Sequence, residues 1–190
     1  MRTIDEWSQQ LHDLYGLRNE CYLQGLQERI IFLINGIRIL RRQIRRRETH
    51  ETLQTAVARV FARTLAVGQH FTGLPVALAM EQKYGHGCSY CNHETCQCRQ
   101  ESRVEPRLFI NVTVKGTQPL SALCTRLRET YAIKNDRLGT YWLLDRLSDE
   151  VSELIAIAEC MRQGTINPQQ AREQMAYELA DVLAWTIAIA

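Results

Sequence analysis

Apolar residues recur at three- and four-residue intervals along most of the chain, the repeat of one face of an α-helix. Leu26, Ile30, Leu33, Ile37 and Leu40 form one such stripe, which predicts a helix over about 22–47. A shorter helix is predicted over 7–17. Val57, Val60, Phe61, Leu65 and Val67 predict a third over 52–71, broken at Gly73, and Pro75 suits the first turn of a fourth ending at Tyr84. Further on, helices are predicted over 120–131 and about 138–162, the second carrying Leu144, Leu147, Val151, Leu154 and Ala158 on one face. Gly164 is a C-terminal stop. Asn167, with Pro168 after it and Gln170 three residues on, has the pattern of a helix start. That last helix is expected to run to residue 190. Leu108-Phe109-Ile110-Asn111-Val112-Thr113-Val114 is suited to one extended strand, too isolated to alter an all-α fold class.

The chain also resembles itself. Tyr15-Gly16-Leu17-Arg18-Asn19-Glu20 aligns conservatively at every position with Tyr131-Ala132-Ile133-Lys134-Asn135-Asp136. In the same register Leu33-Ile34-Asn35-Gly36-Ile37 meets Asp149-Glu150-Val151-Ser152-Glu153. In the next helix, Ala56 to Ala62 lies against Glu178 to Ala184. Glu150, Glu153, Glu178 and Asp181 therefore stand where the first copy has Ile34, Ile37, Ala56 and Arg59. The expected organisation is two related helical units, 1–84 and 120–190, separated by a Cys-rich loop at 85–99 and a linker at 100–119.

The acids carry the chemistry. Glu150 and Glu153 share a helix face at i, i+3, and Glu178 and Asp181 repeat the spacing on the next helix. Both pairs are set among core-type residues, where an uncompensated carboxylate is costly. Packing of the two helices would gather four mutually repelling groups, and a hard cation such as Mg²⁺ relieves that repulsion while keeping waters and room for phosphates. Solvated surface acids are the competing explanation. The segments Leu147 to Leu154 and Glu178 to Trp185 resemble the E-x-x-E and E-x-x-D signature of the MazG-like all-α nucleoside triphosphate pyrophosphatases. The likeness is strongest over 138–190. It implies hydrolysis of a nucleoside triphosphate to monophosphate and pyrophosphate, with Mg²⁺ held by Glu150, Glu153, Glu178 and Asp181 and a metal-bound water attacking the α-phosphorus. It further implies a pseudo-dimeric packing of the two units, and a homodimer of the chain. Lys134 and Asn135, ahead of the acidic helix, are candidate phosphate or base contacts; taken singly, a solvated charge and a turn residue are the blander explanations. Members of this superfamily also carry a further asparagine and a fourth helix, which by the internal alignment would fall beyond residue 190. An incomplete site, or one completed by the first copy or by a partner chain, is therefore expected. The alternative function is a catalytically weak or inactive nucleotide-sensing or protein-interaction module of the same fold.

Four of the seven cysteines, Cys88, Cys91, Cys96 and Cys98, sit in one short loop at spacings suited to a tetrahedral structural zinc, with His86 and His93 as substitutes. Free thiols or disulfides are the competing explanation. Cys21, Cys124 and Cys160 are expected as small core residues. The formal net charge of +2 demands neither a nucleic-acid nor a membrane partner. No leader-like or membrane-spanning apolar run is visible, which places the expected site of action in the cytoplasm. Arg38, Arg41, Arg42, Arg45, Arg46 and Arg47 crowd one segment, but without interleaved aromatics they favour a solvated helix surface over a nucleic-acid contact.

Overall fold

The structure, a computed structural model, describes residues 2–98 and 116–190. Among these the chain forms seven helices: α1 (Ile4–Tyr22), α2 (Leu26–Arg46), α3 (His50–Gly68), α4 (Val76–Tyr84), α5 (Leu120–Leu138), α6 (Thr140–Gln163) and α7 (Pro168–Ile189). The strand expected at 108–114 lies outside the described residues. The extended backbone of the described residues pairs at one isolated bridge, Thr3 with Pro119.

Capping chemistry moves several boundaries away from the apolar pattern. α1 begins earlier than its apolar residues suggest because Thr3 and Glu6 form a reciprocal box. The Thr3 hydroxyl accepts from the Glu6 amide at 3.2 Å, and the Glu6 carboxylate accepts from the Thr3 amide at 2.8 Å. Asn167 and Gln170 do the same for α7, with bonds of 2.9 and 3.1 Å. Gly164 closes α6 in the left-handed region at φ 69°, as its position predicts. Pro75 stands at the N-cap of α4 and not inside its first turn. α5 does not stop near Tyr131 but runs on to Leu138, where Gly139 turns the chain at φ 79°.

Two helix pairs build the body: α2 packs along α3, and α6 along α7. The pairs meet like on like, α2 against α6 and α3 against α7, with α1 laid on α3 and α5 on α7 and α6. One common shift along the sequence carries both ends of α1 onto both ends of α5, and carries Thr3 onto its bridge partner Pro119. The core between the pairs is aliphatic. Leu33, Leu40, Leu144, Leu147, Leu154, Leu179 and Leu183 are fully enclosed, each contributing about 1.5–3 kcal/mol relative to exposure. α7 runs through the core, with every residue from Leu179 to Ala184 buried. α4, from the first half of the chain, lies chiefly on α7.

Among the described residues no helix is long and apolar enough to cross a membrane. Arg38, Arg42, Arg45, Arg46 and Arg47 are exposed along the end of α2. Arg41 reaches sideways to α6, donating to the Ser148 hydroxyl at 3.2 Å. Cys21 corrects one expectation: it is exposed on α1 and not a core residue, while Cys124 and Cys160 are half-buried. Arg29 is the polar tie inside the first half. Its buried guanidinium donates to the carbonyls of Leu23 (3.1 Å) and Ala66 (2.8 Å), bracing the start of α2 against α3. Replacing it with alanine strands those carbonyls, so Arg29→Ala is expected to cost about 2–3 kcal/mol in urea denaturation.

Candidate metal centre

Glu150 and Glu153 project from α6, and Glu178 and Asp181 from α7, at the interface of the two most closely packed helices in the second half. Glu150, Glu153 and Glu178 each bring one carboxylate oxygen within 4.8 Å of the other two. Oxygens sharing one Mg²⁺ at about 2.1 Å lie at most about 4.2 Å apart, so a small closure would let this trio hold a hard cation. Glu150 is 6% exposed, and its Oε1 accepts from Trp185 Nε1 at 3.1 Å and from Arg146 at 3.4 Å. Glu178 is half-buried and Glu153 exposed.

Asp181 is placed differently. It adjoins the trio but is 3% exposed, and both of its oxygens are engaged: Lys83 donates to Oδ2 and the Tyr84 hydroxyl to Oδ1. Lys83 is itself enclosed, its ammonium 3.5 Å from the centre of the Tyr177 ring. The last turn of α4 thus neutralises the fourth acid from the other half of the chain. A buried pair of this kind is kept by mutual geometry, because removing either partner strands a charge.

Burial, then the charges of Asp181 and Glu153, push the Glu150 carboxyl up to about 8. Burial and the same two neighbours push Glu178 up to about 9, against the opposing pull of Lys83. Without a cation the site therefore holds protons at neutral pH, and a divalent ion would compete with them.

A cavity of about 1110 Å³ opens from the acids, roomy enough for a nucleotide-sized molecule. Glu150, Glu153 and Asp181 lie at one part of its wall. Arg128, Lys134, Asn135 and Arg146 supply cationic and amide groups, and Trp142, Trp185 and Tyr131 supply aromatic surface. Trp142 meets Trp185 edge to face at 5.5 Å. Lys134 and Asn135 thus reach the same cavity as the acids, but from the last turns of α5 and not from a turn before α6. Arg59, aligned with Asp181, is exposed on α3.

The loop after α4 gathers a second group. The sulfurs of Cys88, Cys91, Cys96 and Cys98 lie within 4.8 Å of one another, so the cluster could hold a metal such as zinc. Cys88 Sγ is 3.5 Å from Cys96 Sγ and 3.7 Å from Cys98 Sγ. A zinc tetrahedron with bonds of about 2.3 Å spaces its sulfurs at about 3.8 Å, whereas a disulfide requires about 2.0 Å. Burial drives the Cys96 thiol up to about 12, while amide donors from Gln97 and His93 bring Cys91 down to about 6 against its own desolvation. His86 and His93 are exposed and outside the group; the His93 carbonyl instead accepts from the Cys88 amide at 2.9 Å.

Sequence reasoning missed Lys83 and Tyr84. A signal was present, since Lys83 and Tyr84 continue the face set by Val76 and Met80 and so place a lysine on an apolar stripe. It also missed Trp185 and Arg146 as the partners of Glu150. No protein-family model, characterised protein or solved structure matches this chain.

The raised carboxyls fix a pH dependence. A carboxyl whose folded value exceeds its unfolded value near 4.5 stabilises the fold fully below that value, and the contribution is lost as pH climbs through the folded value. Cation-free protein is expected to lose thermal stability between about pH 5 and 9, through Glu150 and Glu178. Mg²⁺ should raise Tm more at pH 8.5 than at pH 5.5, and the double change Glu150→Gln, Glu178→Gln should flatten the profile.

Proposed function

We propose that this protein is a Mg²⁺-dependent nucleotide pyrophosphohydrolase of MazG-like type, cleaving a nucleoside triphosphate or related nucleotide to monophosphate and pyrophosphate. The observation that carries the proposal is the convergence of Glu150, Glu153 and Glu178 on one point, with Glu150 and Glu153 lining a nucleotide-sized cavity. A phosphate–metal substrate needs acids for the ion and cations for the remaining phosphate charge, and the cavity lining offers both. Glu150, Glu153 and Glu178 would hold the ion, which would supply Lewis-acid polarisation of the phosphate and a lowered pKa for an attacking water. Lys134, Arg128 and Arg146 neutralise the departing pyrophosphate, and Asn135 orients it.

The proposed architecture is a tandem pair of related helical units folded on each other as an internal pseudo-dimer. Three observations support it: the coincident bounds of α1 and α5, the bridge between the aligned residues Thr3 and Pro119, and the like-on-like packing of α2 with α6 and α3 with α7. Elements that lie at a twofold axis meet their own symmetry mates. In this arrangement the first unit lends α4 to the second unit's site. A cytoplasmic location and further homodimerisation complete the proposal.

One observation favours the alternative of a nucleotide-sensing module with little turnover. Asp181, the fourth acid of the signature, is occupied by Lys83 and Tyr84. Pyrophosphate release from a panel of nucleoside triphosphates with Mg²⁺ separates the two. Turnover is expected to fall roughly 100-fold or more in Glu150→Gln and in Glu153→Gln. Activity that survives both changes excludes the site, and tight nucleotide binding without release of pyrophosphate establishes the sensing module.

A further inference from the structure

The cysteine loop is docked, not pendant. The Cys96 amide donates to the Thr130 carbonyl at 2.8 Å, and the Ser89 amide donates to the Tyr131 hydroxyl at 3.0 Å, so both bonds fasten the loop to α5. The loop itself is tightly wound. Cys88 donates its amide to the His93 carbonyl, and Asn92, in the left-handed region at φ 55°, returns its amide to the Cys88 carbonyl at 2.9 Å. Gly87, at φ 128°, admits no side chain here, because a Cβ would sit 2.7 Å from the His93 carbonyl oxygen. Such a fold of few residues has almost no apolar core of its own to hold it.

The loop also borders the carboxylate site. Ser89, Tyr90 and Cys98 line the same cavity as Glu150, Glu153 and Asp181. Tyr131, fixed by Ser89, presents its ring edge to face against Tyr84 at 6.3 Å. Tyr84 in turn donates to Asp181, beside Lys83. A continuous path of contacts therefore runs from the four sulfurs through Ser89, Tyr131 and Tyr84 to Asp181.

We propose that a zinc ion held by Cys88, Cys91, Cys96 and Cys98 positions the carboxylate site: by locking the loop onto α5 it fixes Tyr131 and Tyr84, and so holds Lys83 and Tyr84 on Asp181. The zinc has all four positions filled by thiolates and no open place for substrate, which suits a fixing role and not a chemical one. Tyr131 and Tyr84 are positioning residues, acting on the site through Asp181. The part concerning divalent-ion affinity rests on the proposed carboxylate centre; the part concerning α4 does not.

The test uses the full chain purified with zinc, its metal content measured by plasma mass spectrometry, and two variants. Cys91→Ser removes a zinc ligand. Tyr131→Phe keeps the ligands and the ring but loses the hydroxyl that accepts from Ser89. The first readout is amide hydrogen exchange over 80–85 and 128–133, and the second is Mn²⁺ affinity followed by quenching of tryptophan fluorescence, to which Trp142 and Trp185 beside Glu150 contribute. Wild type is expected to hold one zinc per chain. Cys91→Ser, or stripping zinc with a chelator, should speed exchange in both segments and weaken Mn²⁺ binding about tenfold, the size typical of lost outer-shell support. Tyr131→Phe should retain zinc yet show the same weakening to a lesser degree, with far-ultraviolet circular dichroism unchanged. Wild type that takes up no zinc on refolding with it, or zinc removal that leaves exchange over 80–85 unchanged, overturns the proposal. If Mn²⁺ does not bind at all and Glu153→Gln changes nothing, the carboxylate centre fails instead, and exchange over 80–85 alone decides whether zinc holds α4.

Discussion

Negative charge placed at an apolar helix interface is the constraint around which this molecule is arranged. Glu150, Glu178 and Asp181 sit between α6 and α7 where water cannot solvate them freely, and Glu153 stands beside them. Each must be answered. Asp181 receives a lysine and a tyrosine hydroxyl. Glu150 receives an indole and an arginine. Glu178, desolvated and beside Asp181 and Glu153, keeps its proton far above the usual carboxylate range despite the pull of Lys83. The answers come from α4, α6 and α7 together, so the packing of these helices and the state of the site are one problem and not two.

The positions of the first half that align in sequence with the acids carry no such burden. Ile37 and Ala56 are simply buried, and Arg59 is exposed. There Arg63 lies across α2 where Gly36 leaves room, donating to the Phe32 carbonyl at 2.8 Å. The first half thus braces its own helices through Arg29 and Arg63 and sends Lys83 and Tyr84 across to Asp181. The second half turns polar groups of its own toward a cavity. An asymmetry of this sort lets one half be stiff while the other holds groups whose mutual repulsion would loosen an unsupported bundle.

Much of this was readable in the chain because it is local. Asn167 with Gln170, and Gly164 before them, are signals whose physics is complete within a few residues, and they fall where expected. The i, i+3 spacing of the acids and the Cys88-x-x-Cys91 and Cys96-x-Cys98 pairs are local too, and the structure gathers three of the four acids and all four thiols. The length of α5 was hidden because residues 132–138 are mostly polar and leave no stripe to follow. The role of Lys83 and Tyr84 was hidden because their partner lies 98 and 97 residues away, and no periodicity reports a contact across that separation. The partners of Asp181 were hidden in the same way: its spacing groups it with Glu178, and only the packing of α4 on α7 reveals that its oxygens accept from Lys83 and Tyr84.

The crossing of α4 onto α7 carries a consequence for how the polypeptide is made. Ribosomal synthesis releases α2, α3 and α4 long before α7, so the nascent first half must wait with the faces of α3 and α4 and the Lys83 ammonium lacking the helix that later packs on them. Contacts of such sequence separation form late and slowly. The emerging chain is then at its most adhesive before α7 is released, and a slow stretch of translation ahead of α7 would lengthen the interval in which a holdase chaperone is most useful.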